Sequence, residues 1–520
     1  MKLNKTWLFT TYLLLFVFLV SGSVLFNSCN TKKGGDSFKP TGDTIADGKA
    51  LTELYCTSCH KLVPPDAITK DVWRFHILPD MAHYLGLSTY SVTNYYKKPT
   101  DTTGVSVGNW EIIAAYYDKV APDSLKRAKV PTPLLNDWAG FTLKKPDSNK
   151  NVAYTSMLQV DPVTKKMYTA DVGTLDLYEW DKNLRPRVAA NLPSAAVSAN
   201  FVNDEKGNRQ AILSCIGQIV PMDFPNGRIM KADLNGNTGA KKPQLVQEDL
   251  ARPVQTVQAD FNKDGLTDYV VLAQGRYVGG VYLMRQNADH TYTQSNISDR
   301  PGAAQAITGD FNNDGWPDVM VLYGGGDEGL WLYLNDKKGG FTSRNLLRFP
   351  PVYGSSSFQL ADLNHDGKPD LIYTCGYNYK DSRILKPYHG LYIFTNEGDW
   401  NFKQTYFYPI NGCTKAIAAD FDGDGDLDIA TIAFFADMKD RPGEEFIYFE
   451  QDGPMSFKPH AVPVSKYGRW MCMDVADVNG DGKPDIILGN YGAGFMFERG
   501  YKPFWNTHLP FIVLENNFKK

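Results

Sequence analysis

Asp260-Phe261-Asn262-Lys263-Asp264-Gly265-Leu266-Thr267-Asp268, followed at once by Tyr-Val-Val-Leu, is the stretch whose reading decides the fold. It returns at 310–318, 362–370, 420–428 and 477–485, each time as D-x-[ND]-x-D-G-x-x-D running into an apolar segment. Oxygens at positions 1, 3, 5 and 9 of such a loop wrap one hard cation. A carbonyl from position 7 adds a fifth oxygen, and glycine at position 6 takes the sharp turn. The predicted ligands are Asp260, Asn262, Asp264, Leu266 and Asp268; Asp310, Asn312, Asp314, Trp316 and Asp318; Asp362, Asn364, Asp366, Lys368 and Asp370; Asp420, Asp422, Asp424, Asp426 and Asp428; and Asp477, Asn479, Asp481, Lys483 and Asp485. The position-7 residues Leu266, Trp316, Lys368, Asp426 and Lys483 contribute only backbone carbonyls. A plain Asp/Asn/Gly turn is the bland alternative, since these residues favour turns without any metal. Turns alone do not require an acid at position 9 five times over.

The loops begin at 260, 310, 362, 420 and 477, spacings of 50, 52, 58 and 57 residues. Strand-bearing repeats of that period point to a propeller or a solenoid. Each repeat reads as a strand, the acidic loop, a second strand such as Asp268–Leu272, a third such as Gly329–Leu334, and a more polar fourth such as Phe341–Leu347. Four short antiparallel strands make one propeller blade. Two earlier units, around Asp161 and around Asn200–Gly207, keep this layout but lose the ligands, which gives seven. The last unit lacks a fourth strand, and Trp138–Lys145 reads as a fourth strand without a unit. The expected fold is therefore a seven-bladed all-β propeller over 138–515, closed by 138–145; closure removes exposed sheet edges. The repeats resemble the FG-GAP or VCBS repeats of integrin α-subunits. That resemblance implies structural Ca2+, up to five ions, at the loop residues named above.

Upstream the signature changes. Ile45–Tyr55 is helix-like and leads into Cys56-Thr57-Ser58-Cys59-His60. C-x-x-C-H attaches c-type haem: two thiols bond the vinyl groups, and the histidine ligates the iron. A redox disulfide or half a zinc site would use the same cysteines, but the adjacent histidine and the lack of a second C-x-x-C argue against both. Met81, in Ile77-Leu-Pro-Asp-Met81-Ala-His83, reads as a loop presenting the second axial ligand, with His76 and His83 as competitors. Trp110–Val120 reads as a closing amphipathic helix, with Trp110, Ile113, Ala114 and Tyr117 on one face. Residues 43–125 thus resemble a small all-α class I cytochrome c carrying one haem c. A Pro-rich linker, 126–137, follows.

The chain starts with Lys2, Lys5 and the apolar run Trp7–Val20, the layout of an export signal (1–28). The Leu25–Cys29 stretch resembles a bacterial lipoprotein cleavage site, which implies lipidation of Cys29 and a tether over 29–42. An uncleaved membrane anchor is the alternative; both place the remainder outside the cytoplasm, in the bacterial cell envelope. A net charge of −4 gives no electrostatic case for nucleic acid.

These parts together predict an exported, membrane-tethered haem protein for electron transfer. Its propeller would dock a redox partner protein, a small electron donor or acceptor, or another ligand. Two alternatives stand beside it: a propeller oxidoreductase feeding the haem, and a surface adhesion or glycan-binding protein. No nucleophile elbow, H-E-x-x-H motif or nucleotide loop is present, so an electron carrier or binding protein is expected before a catalyst. Tyr277, Trp331, Tyr377, Tyr379, Phe434, Phe435 and Tyr491, with Asp327, Glu328 and Asp437, follow second strands and would line one mouth of the propeller if they converge. The positions of Cys413 and Cys472 before consecutive loops leave room for a disulfide between neighbouring blades.

Overall fold

The computed structural model describes residues 38–89, 96–97, 104–220, 222–235, 240–378, 384–494 and 502–518. The signal, Cys29, most of the tether and Tyr379 lie outside them. Among the described residues no helix is long and apolar enough to cross a membrane. The chain divides into two compact units, residues 1–58 with 70–121, and residues 59–69 with 122–520. The C-x-x-C-H motif straddles the boundary, so Cys56 is described with the first unit and Cys59 and His60 with the second.

In the first unit, helix Thr44–Cys56 is capped by Asp43, whose carboxylate accepts from the amides of Ile45 and Ala46. It crosses helix Val107–Val120 closely because Gly48 has no side chain: a Cβ there would lie 2.2 Å from Tyr116 Cβ. The second helix buries Trp110, Ile113, Tyr116 and Tyr117. Tyr116 therefore takes the place expected for Ala114, which is half-buried. Between these helices, Lys70–Val72, a π turn at Trp73–Ile77 and helix Leu78–Tyr84 follow one another directly. Trp73 packs its ring on Tyr117 with centroids 4.1 Å apart. Met81 consequently sits on a helix and not in the expected loop. Pro79 falls in the first turn of that helix, where proline is tolerated because its missing N–H would have no partner.

The second unit is a seven-bladed propeller. Six antiparallel four-stranded sheets run in chain order over 155–191, 196–250, 253–298, 303–348, 355–409 and 415–461, here blades one to six. Blade seven takes Trp470–Ala476, Asp485–Asn490 and Phe511–Asn516 from the end of the chain, and Phe141–Lys144 as its fourth strand. The expected closure is thus present, with Phe141 opposite Asn516 and Lys144 opposite Val513. Strand position explains composition. Second strands such as Asp268–Ala273 and Asp318–Tyr323 are buried throughout and read as apolar runs. Outer strands such as Tyr292–Ser298 are largely exposed and polar.

Hydrophobic layers fill the spaces between blades. Met157, Tyr168 and Leu177 of blade one pack with Ala199, Leu213 and Met230 of blade two. At the closure Leu158, Val160 and Trp180 pack with Ile487, Phe511 and Val513 of blade seven. Fully burying one such side chain is worth about 1.5–3 kcal/mol. Around the ring, a side chain on each inner strand also bonds the backbone of the next inner strand. Gln159 Oε1 accepts from Ala199 N (2.5 Å), Asn200 Nδ2 donates to Thr256 O, and Gln255 Oε1 accepts from Ala306 N (2.7 Å). Gln305 and Gln359 each grip both the N–H and the C=O of Phe358 and Ala418. Lys415 Nζ donates to Met473 O (2.9 Å), and Asp474 accepts from Val160 N (2.8 Å), which returns the series to blade one.

The stretch expected as a linker is laid along this unit: Leu135 forms a parallel bridge with His460, and Val130 and Leu134 pack on the core between blades five and six. Cys413 and Cys472 are separate thiols, not a disulfide. Cys413 lies in the core between blades five and six, whereas Cys472 packs toward blade one and donates to Thr155 O.

Candidate metal loops and haem-attachment segment

The five acidic loops share one backbone design. The position-6 amide donates to the position-1 carboxylate in every copy: Gly265 to Asp260 (2.9 Å), Gly315 to Asp310 (2.7 Å), Gly367 to Asp362 (2.9 Å), Gly425 to Asp420 (3.2 Å) and Gly482 to Asp477 (2.9 Å). The position-7 amide donates to the position-5 carboxylate at 2.8–2.9 Å. The position-7 carbonyl is left as the group with ligand capacity. Position 6 has φ between +81° and +99° in all five loops, which only glycine adopts without cost. Position 4 is left-handed too, whether it is Lys263, Asn313, His365, Gly423 or Gly480.

The position-9 acids have a second task. Asp268, Asp318, Asp370, Asp428 and Asp485 are all buried to 1% exposure or less. One oxygen of each accepts from the position-2 amide, at 3.0–3.3 Å. The other accepts from a residue at or near the end of the third strand: Gln286, Asn335, Asn396, Gln451 or Asn516, at 2.8–2.9 Å. A carboxylate oxygen carries more than one lone pair, so this strand-locking is compatible with a ligand role. Burial pushes all five pKa values up, against the opposing pull of the amide bonds, and neighbouring loop acids push the same way. Asp428 and Asp485 reach about 6. In the loop at 420, oxygens of Asp420, Asp422 and Asp424 lie within 4.8 Å of one another. Burial, with the adjacent Asp424 and Asp420 charges, raises Asp422 as well. Crowded hard oxygens held by fixed amides are a donor set that fits a cation such as Ca2+.

Sequence reading missed the residues that chain the loops together. Asn335 Nδ2 donates to Phe261 O (2.9 Å), Trp400 Nε1 to Phe311 O (2.8 Å), Gln451 Nε2 to Leu363 O (3.3 Å) and Asn516 Nδ2 to Phe421 O (2.6 Å). Each binds position 2 of the preceding blade's loop. An amide side chain recurring at the end of the third strand was the available signal. His365 and Lys263, at non-ligand positions, also reach the next loop: His365 Nε2 contacts Asp426 at 2.9 Å, and Lys263 lies over the Trp316 ring at 4.7 Å.

Blades one and two are built otherwise. Asp161, fully buried, receives the Arg209 guanidinium from blade two on both oxygens, at 2.5 and 2.8 Å. It also accepts from Val163 N and the Thr164 hydroxyl. Burial opposes its ionisation, yet these donors hold its pKa down at about 2. Asp204 is satisfied within its own turn by Asn208 and Lys206.

Of the expected mouth residues, the structure joins some and separates others. Tyr377, Phe435, Phe434 and Tyr491 form a run of edge contacts continued by Tyr154, with centroids 5.0–6.0 Å apart. Arg469, buried, lies over Phe434 at 3.9 Å. Asp437 pairs instead with Arg127 at 3.2 Å. Tyr277 carries Arg276 over its ring at 4.9 Å, and Trp331 lies under Arg300 at 3.7 Å. Asp327 pairs with Arg348, and Glu328 is buried beneath it, accepting from Gly354 N, Ser355 N and the Ser355 hydroxyl.

At the haem-attachment motif, Cys56 ends its helix half-buried, Cys59 is exposed and His60 is half-buried. His60 Nδ1 lies 2.9 Å from Lys61 O. A proton on Nδ1 makes that contact a hydrogen bond and leaves Nε2 as the ligating nitrogen. Two thiols and an oriented imidazole are a donor set that fits haem c. Met81 is half-buried, whereas His76 and His83 are exposed.

Residues 260–321, 310–373 and 384–431 match the family of FG-GAP-like repeats, and residues 473–502 match the FG-GAP repeat family. No curated protein matches the chain. Among solved structures, it is similar to the crystal structure of the V. cholerae biofilm matrix protein Bap1, at 11% identity over 74% of this chain and 70% of that chain, with a TM-score of 0.30. The chain therefore carries FG-GAP repeats, set within a seven-bladed β-propeller.

Proposed function

We propose that this chain is an exported, membrane-tethered c-type haem protein that transfers electrons, with a Ca2+-stiffened propeller that docks its partner or ligand. The observation that carries the haem reading is C-x-x-C-H at the end of helix Thr44–Cys56, with His60 Nδ1 directed to a backbone carbonyl. When bound, haem c supplies a one-electron ferric/ferrous couple. Cys56 and Cys59 would hold it covalently, and His60 Nε2 and Met81 Sδ would be the axial donors. The close crossing at Gly48 makes the helix that carries Cys56 a rigid support. In the propeller, the five loops would each hold one Ca2+ through positions 1, 3, 5, 7 and 9. Since position 9 already ties the loop to the third strand, an ion there would stiffen a whole blade. Cys29 would carry the lipid that holds the chain at the cell envelope.

A second reading, a glycan- or surface-binding propeller, draws on the aromatic run through Tyr377, Phe435, Phe434 and Tyr491, of which Tyr377 is 40% exposed. The visible spectrum of protein made with haem-maturation machinery, oxidised and then reduced, tests the first. A sharp reduced α-band with the weak far-red band of Met–iron ligation is expected. Absence of covalent haem leaves the binding propeller alone.

A further inference from the structure

Within the propeller unit, the chain that follows His60 lies against blades four and five and encloses a cleft of about 480 Å3. Two features of its wall point to one kind of ligand. The first is a set of nearly parallel rings. Phe349 stacks on Tyr373 at 4.4 Å and 14°, Tyr353 lies parallel to Phe349 at 6.1 Å and 15°, and Tyr388 stacks on Tyr353 at 4.7 Å and 12°. Most ring pairs elsewhere in this propeller meet edge to face; the near-parallel, offset arrangement at this wall is the other one that ring quadrupoles favour. Parallel rings at an open wall offer a flat face to another flat molecule. The second feature is charge. Arg348 and Lys61 both line the cleft. Arg348 is held by Asp327 at 2.6 Å and by Cys59 O, and Lys61 Nζ donates to Arg348 O, a neutral carbonyl. Arg348 is paired with one carboxylate, so Lys61 leaves the wall net positive.

We propose that this cleft binds a planar aromatic anion, its ring system against Tyr353 and Phe349 and its acid group between Lys61 and Arg348. The site goes beyond the electron-transfer reading and does not require it, because every lining residue belongs to the propeller unit and none is a haem donor.

The test is calorimetric titration of the full chain with anthraquinone-2-sulfonate, in the haem-loaded protein and in the Cys56→Ala variant. Saturable one-to-one binding is expected in both, weakening as salt rises. Lys61→Gln and Tyr353→Leu should each weaken it about tenfold, with unchanged melting temperature. Cyclohexanesulfonate, which has the charge but no flat ring, should bind far more weakly. Equal affinity in wild type and both variants, or equal affinity for the two sulfonates, would overturn the proposal. So would binding confined to the haem-free chain, since haem itself would then claim the cleft. A wild-type chain that takes up no covalent haem yet binds the sulfonate would count against the electron-transfer reading and leave this site standing.

Discussion

Blades one and two and blades three to seven hold the acids of the same turn in different ways. In every blade, a turn between the first and second strands must hold an acid at the rim. In blade one the counter-charge is a guanidinium: Arg209 crosses from blade two to Asp161. In blades three to seven no guanidinium among the described residues pairs with the position-1 acids, which accept from the position-6 amides, and several carboxylates share one small loop. A side chain fixes one pair of blades permanently. Under the proposed calcium loading, a metal ion would make the rigidity of the other five depend on the surroundings. On the proposed reading, the propeller has a constitutive sector and a calcium-responsive one.

Removing calcium should therefore expose the contrast most strongly. One ion at a free concentration a hundredfold above its dissociation constant adds about 2.7 kcal/mol. Five sites should shift the melting temperature by many degrees. Hydrogen exchange after chelation should rise in 260–268, 310–318, 362–370, 420–428 and 477–485, and stay unchanged in 161–166 and 204–208. Equal deprotection of all seven blades would erase the comparison. Next in size, Arg209→Ala leaves a buried carboxylate unpaired and should cost about 3–5 kcal/mol with or without calcium. Asp161, with its pKa held near 2, gives stability above its unfolded value near 3.8 that is lost as pH falls toward 2. Acid unfolding of wild type should show that loss and Asp161→Asn should not.

Glu328 gives the opposite pH dependence. Burial raises its pKa from 4.5 to about 7, against the pull of the Ser355 and Gly354 donors. A raised carboxyl pKa favours the folded state while protonated, so stability should fall as pH climbs from 4.5 through 7. The loss should be about 3 kcal/mol, and Glu328→Gln should flatten this part of the denaturation profile. The smallest effect belongs to position 7. Leu266→Ala and Lys368→Ala keep the carbonyl and should change stability by under about 0.5 kcal/mol, with calcium affinity unaltered. A large loss of affinity would mean that the side chain, not the carbonyl, matters there.

Much of this design was legible in the chain because it is local. An acidic loop of nine positions with glycine at the sixth announces its own turn, and the surplus strand at 138–145 together with the missing strand at the end announced closure. The Phe141–Lys144 pairing with Phe511–Asn516 bears that out. What stayed hidden is long-range. Arg209 lies 48 residues from Asp161, and the Gln159, Gln255, Gln305 and Gln359 clasps reach partners in neighbouring blades, 40 to 59 residues away. The double task of the position-9 acids was hidden for the same reason, since their second amide comes from the third strand. Met81 was misplaced because a proline inside an apolar run reads as a break, when here it begins a helix after a π turn. Cys413 and Cys472 looked equivalent by position, yet they face different inter-blade cores.

The most direct test of the two-sector account is the calcium stoichiometry of the intact chain, measured by calorimetric titration after exhaustive chelation. The account predicts five ions per chain, four after Asp420→Asn/Asp424→Asn, and still five after Asp204→Asn. No saturable binding, or a stoichiometry lowered by Asp204→Asn, would contradict it.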